Sequence, residues 1–164
     1  MIKLYHFKDD GKIPNSKYPL VIYKSVLPKD ASMIEKIFES HRWSNSWRDG
    51  IYSYHHFHSI AHEVLGVYQG SALLHLGGEK GQRVQVNMGD VIIIPAGVGH
   101  KCLESTDDFK VVGAYAGGRD WDIMKGLPEE REAALKNIKN VPEPEMDPFS
   151  GEQVGIVVYW NLKK

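Results

Sequence analysis

Between Gly50 and His100 the chain gathers side chains that can share one metal ion. Four of the 8 histidines, His55, His56, His58 and His62, fall in one short segment; Glu63 follows them, and His100 ends a later run bounded by proline and glycine. In an extended segment successive side chains alternate faces, so His56 and His58 point one way and Phe57 and His55 the other. Ser59 to Ala61 offer a short turn, after which Glu63 opens a β-type run and brings a carboxylate oxygen. His100 arrives from a third strand, behind the turn signals Pro95, Gly97 and Gly99. Three imidazoles and a carboxylate suit a divalent transition metal: Zn, Fe, Mn, Ni or Cu. A competing geometry pairs His58 with His62 on one helical face, but the order HExxH is absent and Ile51, Tyr52, Tyr54 and Phe57 favour strand. His6, His41 and His75 stand apart and read as hydrogen-bonded core or surface residues.

Alternation also places Tyr52 and Tyr54 on the His56/His58 face, as candidate catalytic residues that donate a proton or orient a ligand. Cys102, two residues past His100, faces the same cavity or fills it as a small buried hydrophobe. Tyr115 and Trp121 are candidates for its far wall.

The elements that must position these groups read as mostly β. Runs at Ile51 to His58, Glu63 to Tyr68, Ala72 to Leu76, Arg83 to Val86, Val91 to Ile94, His100 to Leu103 and Phe109 to Tyr115 are separated by Gly, Pro, Asn and Asp. Short strands so spaced predict a small barrel or jelly roll able to enclose a ligand. Before them come β-rich runs at Ile2 to Phe7 and Pro19 to Leu27. A helix capped by Asp30 follows, with Met33, Ile34, Ile37, Phe38 and His41 at helical spacing. Arg42 to Asp49 (RWSNSWRD) reads as a loop whose Trp43 and Trp47 line a pocket mouth, or cover the barrel end or an oligomer interface. Gly117 to Asp122 (GGRDWD) reads as a turn leaving the barrel. Pro128, Glu129 and Glu130 start a second helix running to about Asn140. Val141 to Gly151 is an extended, proline-rich connection, and Val154 to Trp160 is predicted to close the chain as a strand.

The two clusters match spaced motifs. Gly50, His56, His58, Glu63 and Gly70 fit G-x5-H-x-H-x4-E-x6-G, and Gly89, Pro95, Gly97 and His100 fit G-x5-P-x-G-x2-H-x3-N up to its last position, where Glu104 replaces Asn. In these the chain resembles the cupin family. The strings HEVLGVYQG, GDVIIIPAGVGHKCL and FKVVGAYAGGRDWD further resemble small single-domain bacterial cupins, the YjlB-like proteins. The resemblance implies an all-β fold, a double-stranded β-helix or jelly-roll barrel flanked by two short helices. It implies one metal ion held by His56, His58, Glu63 and His100. One domain over residues 1–164 is expected, with the core barrel at about 50–116.

Composition narrows the function further. The 164 residues are 42% hydrophobic and 25% charged, with a net charge of -1. That balance belongs to a globular protein and leaves no electrostatic footprint for nucleic acid or an anionic membrane. One cysteine excludes an internal disulfide, and the N-terminal MIKLYHFKDDGK lacks the apolar run of a signal peptide, so a cytoplasmic location is expected. The expected partners are a small-molecule substrate or ligand and a second copy of the chain in a homodimer. Three functions fit: a metal-dependent enzyme on a small polar metabolite, either an oxygenase (a dioxygenase included) or an isomerase/lyase; a non-catalytic sugar-like binding or sensing module; or a protein with a structural metal. A structural site usually closes with cysteine ligands, and this one offers only histidine and carboxylate.

Overall fold

In the computed structural model, which describes residues 1–162, nine strands form two antiparallel sheets. The strands are β1 (Ile2–Tyr5), β2 (Leu20–Tyr23), β3 (Trp43–Asp49), β4 (Glu63–Gln69), β5 (Ser71–Leu76), β6 (Gln82–Asn87), β7 (Val91–Ile94), β8 (His100–Ser105) and β9 (Lys110–Ala116). The larger sheet has the order β1-β2-β7-β4-β9-β3 and the smaller β6-β5-β8. The fold is a cupin-type jelly roll with a few short helices.

Alternation along the central strands builds two apolar layers from one sheet. Leu65 and Val67 of β4, Ile92 and Ile94 of β7 and Val111 of β9 turn inward, where they meet Leu74 and Leu76 of β5 and Val84 and Val86 of β6. Their neighbours Val64, Val91, Ile93, Val112 and Ala114 turn outward beneath helix α1 (Ala31–Ser40) and the C-terminal segment. With both faces covered, β7 reads as an unbroken Val-Ile-Ile-Ile run, all buried. Helix α1 starts where Asp30 Oδ1 accepts the N–H groups of Ser32 (2.9 Å) and Met33 (3.2 Å). It buries Ala31, Ile34 and Phe38, whereas Met33, expected on the apolar face, points to solvent. The helix can lie this close because residue 66 is glycine: a Cβ there would come within 2.8 Å of Leu27 and 2.9 Å of Ile34.

A 3-10 turn (Pro128–Glu130) leads into helix α2 (Arg131–Asn140), where a second helix was expected. Four readings of the sequence need correction. Arg42 to Asp49 is not a loop; from Trp43 on it is β3, paired with β9 and bulged between Ser44 and Trp47. Small polar residues hid it, and its bulge accommodates Asn45 at φ 62°. Ile51 to His58 is not a regular strand; only His56 and Phe57 form bridges, to His100 and Met124. The segment passes from one pairing partner to the other within two residues, which prevents a continuous ladder. Gly117 to Asp122 does not simply leave the barrel, because it returns across the His58 segment. Val154 to Trp160 contains helix α3 (Ile156–Tyr159) and no strand. Its start is fixed by the Asp147 carboxylate, which accepts the Ile156 N–H (2.9 Å), and by Gly155 at φ 73°; Val154 and Val158 are exposed. No helix among the described residues is long and apolar enough to cross a membrane.

Candidate metal centre

The inner face of the large sheet carries the polar cluster. Glu63 opens β4 on the same face as Leu65, paired with Ile94 on one side and Tyr115 on the other. His100 opens β8 and exchanges backbone hydrogen bonds with His56 (3.2 and 2.9 Å). His58 lies one residue past the bridge at Phe57. His56, His58 and His100 are all buried, and one ligand atom from each lies within 4.8 Å of the other two, so the three can together hold a metal ion.

Each imidazole is aimed by its second nitrogen. Nδ1 of His56 meets the Tyr54 carbonyl (3.0 Å), Nδ1 of His100 meets the Val98 carbonyl (3.1 Å), and Nδ1 of His58 meets the Asp122 carbonyl. A carbonyl only accepts, so all three Nδ1 atoms donate, and it is Nε2 of each imidazole, once neutral, that carries the lone pair a metal needs. Glu63 Oε1 lies 3.3 Å from Nε2 of His58 and 3.3 Å from Nε2 of His100. Its other oxygen, Oε2, is buried and has no hydrogen-bond partner among the described residues. A fully buried carboxylate with an orphan oxygen facing imidazoles is costly unless a cation completes it, so the residues present fit a divalent ion.

The electrostatics agree. Burial alone would raise the Glu63 pKa, but the charges and hydrogen bonds of His58 and His100 overcome it and hold the carboxyl well below the ordinary range. Burial likewise works against a charged His58, yet the Glu63 charge wins and its pKa is raised. His56 is pushed down to about 3, first by burial and then by the His100 charge, so it is poised as a neutral ligand.

A cavity of about 380 Å³ opens beside these residues, and Tyr52, Tyr115 and Trp121 are among its walls. The structure brings together the two groups that sequence spacing could not orient. Tyr115 and Trp121 stack (centroids 5.7 Å apart), and both pack edge-on to His58 at 5.8 and 5.6 Å. Tyr115 accepts a hydrogen bond from Trp47 Nε1 (2.9 Å), and its phenol is pushed to high pKa by burial and by Glu63. Trp47 lies flat over Gly113, where any Cβ would come within 2.3 Å of the indole. Tyr52 and Tyr54 stack on each other at 5.0 Å, with both rings edge-on to His56. Tyr52 lines the cavity; Tyr54 reaches the site through its main-chain carbonyl. Cys102 packs against the inner apolar layer, with Sγ 3.5 Å from the Glu104 carbonyl, and Glu104 itself is exposed.

His62 stays out of the cluster. Its Nδ1 accepts the Ala96 N–H (2.9 Å), and its ring packs on Trp160 on the opposite side of the sheet. Sequence reasoning missed Asp122. Its carboxylate accepts the Ser59 N–H (2.7 Å) and the Ser59 hydroxyl, while its own carbonyl takes His58 Nδ1. Asn137 of α2 adds a hydrogen bond to Ser59 Oγ (3.0 Å). The only signal was a doubled Asp around Trp121, which has no spacing rule to flag it.

Residues 48–116 match the Cupin family model. Over 157 residues the chain is 46% identical to uncharacterized protein YjlB of Bacillus subtilis (strain 168), an alignment covering 95% of this chain and 94% of that one. Among solved structures, procruciferin, an 11S globulin from Brassica napus, aligns at TM-score 0.42 and 20% identity over 84% of this chain and 39% of its own. A salicylate 1,2-dioxygenase from Pseudaminobacter salicylatoxidans aligns at TM-score 0.34 and 11% identity, over 70% of this chain and 25% of its own. Likeness at that level says nothing about chemistry. The full-length match to the Bacillus protein, on a chain whose Gly50 to His100 clusters meet at one point, makes this a YjlB-like member of the cupin family.

Proposed function

We propose that the chain is a metal-dependent enzyme, an oxygenase or an isomerase/lyase, that acts on a small molecule in the cavity beside His56, His58, Glu63 and His100. The observation that carries this reading is the orphan Oε2 of Glu63, a buried acceptor placed with three imidazole nitrogens beside an open cavity. A divalent ion there would polarise a ligand oxygen or lower the pKa of a bound water. Glu63 is the fourth ligand in this reading. Tyr52, which lines the cavity, moves a proton to or from the ligand; Tyr54 holds His56 in its tautomer through its carbonyl. Asp122 fixes His58 in the same way and anchors the adjacent Ser59. The second reading, a binding module without turnover, draws on the exposure of Tyr52, 48% accessible and so open to solvent at the cavity mouth.

Metal analysis of protein purified without a His-tag tests the site. His58→Ala and His100→Ala are expected to lose bound metal by orders of magnitude, with His6→Ala, on the surface, unchanged. Equal metal in all three removes the proposal. Ligand-dependent O2 uptake by the loaded protein then separates an oxygenase from the other readings.

A further inference from the structure

A second cleft lies behind His62, on the side of the large sheet away from the imidazole cluster. Its volume of about 470 Å³ falls inside the range of roughly 300–1,000 Å³ for ligand pockets. Three segments wall most of it: residues 14–18, helix α2 with the Val141 that follows it, and a floor at His62 and Ala96. The 14–18 wall is held from behind. Asn15 donates through Nδ2 to the carbonyls of Lys8 (2.8 Å) and Gly77 (3.1 Å) and accepts the Gly99 N–H at Oδ1 (3.2 Å), and its own N–H meets the Gly97 carbonyl (2.9 Å). A wall tied down in this way needs little ordering when a ligand arrives.

The floor carries a donor that the fold does not use. Nδ1 of His62 accepts the Ala96 N–H (2.9 Å), so the ring is neutral and its proton sits on Nε2. That N–H has no hydrogen-bond partner among the described residues, although His62 is only 3% accessible and borders the cleft. Buried donors are ordinarily paired, so an acceptor is missing here. Charge points the same way. Lys17 borders the cleft from the 14–18 wall and Lys139 from α2, and neither pairs with a carboxylate among the described residues. The one acidic lining residue, Asp9, is already paired with Arg131. Between these polar groups the lining is apolar, with Pro14, Leu135, Ile138 and Val141 beside the Tyr18 ring. Leu135 is 43% accessible, apolar surface that an occupant would cover.

We propose that this cleft is a second ligand site, separate from the metal centre, for a small monocarboxylic acid with an apolar body. The carboxylate accepts from His62 Nε2 and pairs with Lys17 and Lys139, while the body lies on Pro14, Leu135 and Ile138. A single negative charge fits best. The C-terminal end of α2, at Ile138 to Asn140, borders the cleft with the negative end of its dipole and opposes a second charge. No arginine fork stands among the lining residues to receive a phosphate. A neutral alcohol would leave both lysines without a counter-charge, and a sugar would set its hydroxyls against the aliphatic wall.

Isothermal titration of the full chain with hexanoate, 1-hexanol and hexyl phosphate tests the proposal. Hexanoate is expected to bind saturably and one-to-one, with a Kd below about 1 mM. Hexanol, which keeps the body and lacks the charge, should bind at least tenfold more weakly, and hexyl phosphate no more tightly than hexanoate. Lys17→Met with Lys139→Met should weaken hexanoate at least tenfold; both side chains are exposed, so the fold survives their replacement. Leu135→Glu, also at an exposed position, should do the same by setting a like charge in the cleft. Trp121→Ala, which alters the cavity at the metal centre, should leave hexanoate affinity unchanged. A wild-type chain that does not bind hexanoate, that binds hexanol equally well or that prefers hexyl phosphate overturns the proposal. So does binding that is abolished by Trp121→Ala or by a chelator and survives the paired lysine replacement, because the carboxylate then sits at the metal centre.

Discussion

Two carboxylates, Glu63 and Asp147, are buried on opposite sides of the large sheet, and the chain treats them in opposite ways. Asp147 is wholly inaccessible and saturated: Oδ1 accepts the N–H groups of Phe149 (2.7 Å) and Ser150 (2.9 Å), and Oδ2 accepts that of Ile156 (2.9 Å) and the Tyr23 hydroxyl. Glu63, 2% accessible, has one oxygen shared between two imidazoles and the other without a hydrogen-bond partner among the described residues. A fold that needed only an interior anchor would satisfy Glu63 as it satisfies Asp147. Equal burial with unequal satisfaction separates a carboxylate that holds the structure from one kept ready for something else.

The comparison is broken most directly by removing each group. Asp147→Ala leaves three backbone N–H groups and a buried phenol without an acceptor and frees the start of α3. The expected cost is about 3–5 kcal/mol, a fall in Tm of roughly 6–20 °C, measured with chelator present. Glu63→Gln should leave the chelated protein's Tm within a few degrees, because the lost pairing with His58 is offset by removal of a desolvated charge. Its metal affinity should fall at least tenfold by competition titration. If Glu63→Gln unfolds the chelated protein as severely as Asp147→Ala, both carboxylates are structural and the distinction is void.

How much of this was legible in the sequence depends on the range of the signal. His56, His58 and His100 were readable because the ligand spacing and the turn residues Pro95 and Gly97 are local marks. Helix α1 was readable through Asp30 and the spacing of Ile34 and Phe38. Asp147 and Asp122 were not, since nothing in their neighbourhoods says that Tyr23, 124 positions away, or Ser59, 63 positions away, will be their donor. Val154 to Trp160 misled at shorter range: a β-branched run says strand until a carboxylate nine positions upstream takes the Ile156 N–H and starts a helix. The segment Ile51 to His58 shows the converse. Its alternation correctly put His56 and His58 together although the ladder that usually enforces alternation is broken there.

Asp122 sharpens the comparison at intermediate scale, since it touches the cluster through Ser59 and His58 but stands outside it. Asp122→Ala keeps the carbonyl that receives His58 Nδ1 and loses the two bonds that pin Ser59 beside it. Supports of this kind are typically worth 10–100-fold in metal affinity. Asp122→Asn, which retains an oxygen for the Ser59 N–H, should recover part of that loss. Zinc affinities of the two variants, read by competition with a chromophoric chelator, check this. Wild-type affinity in Asp122→Ala would show that the strap at residues 119–122 does not position the cluster.

The smallest effect concerns neighbours in sequence. His62 precedes Glu63 and faces the other way, against Trp160 and Tyr18. Burial, with the Arg119 charge second, pushes its pKa down to about 3, from about 6.5 in an unfolded chain. Between those values the unfolded state binds a proton that the folded state refuses, so stability is constant above about pH 6.5 and declines as the pH falls below it. At pH 5 the gap of about 1.5 units corresponds to about 2 kcal/mol, or roughly 4–8 °C in Tm. His62→Gln offers an amide oxygen to the Ala96 N–H and cannot titrate. Its loss of Tm from pH 7 to pH 5 should be smaller than the wild type's by that amount, while its zinc affinity at pH 7 stays unchanged. A pH dependence identical in the two proteins would mean that His62 takes up its proton as readily in the folded chain as in the unfolded one, and the burial argument would fall. A fall in zinc affinity would tie His62 to the cluster on the inner face and erase the boundary between the two sides of the sheet.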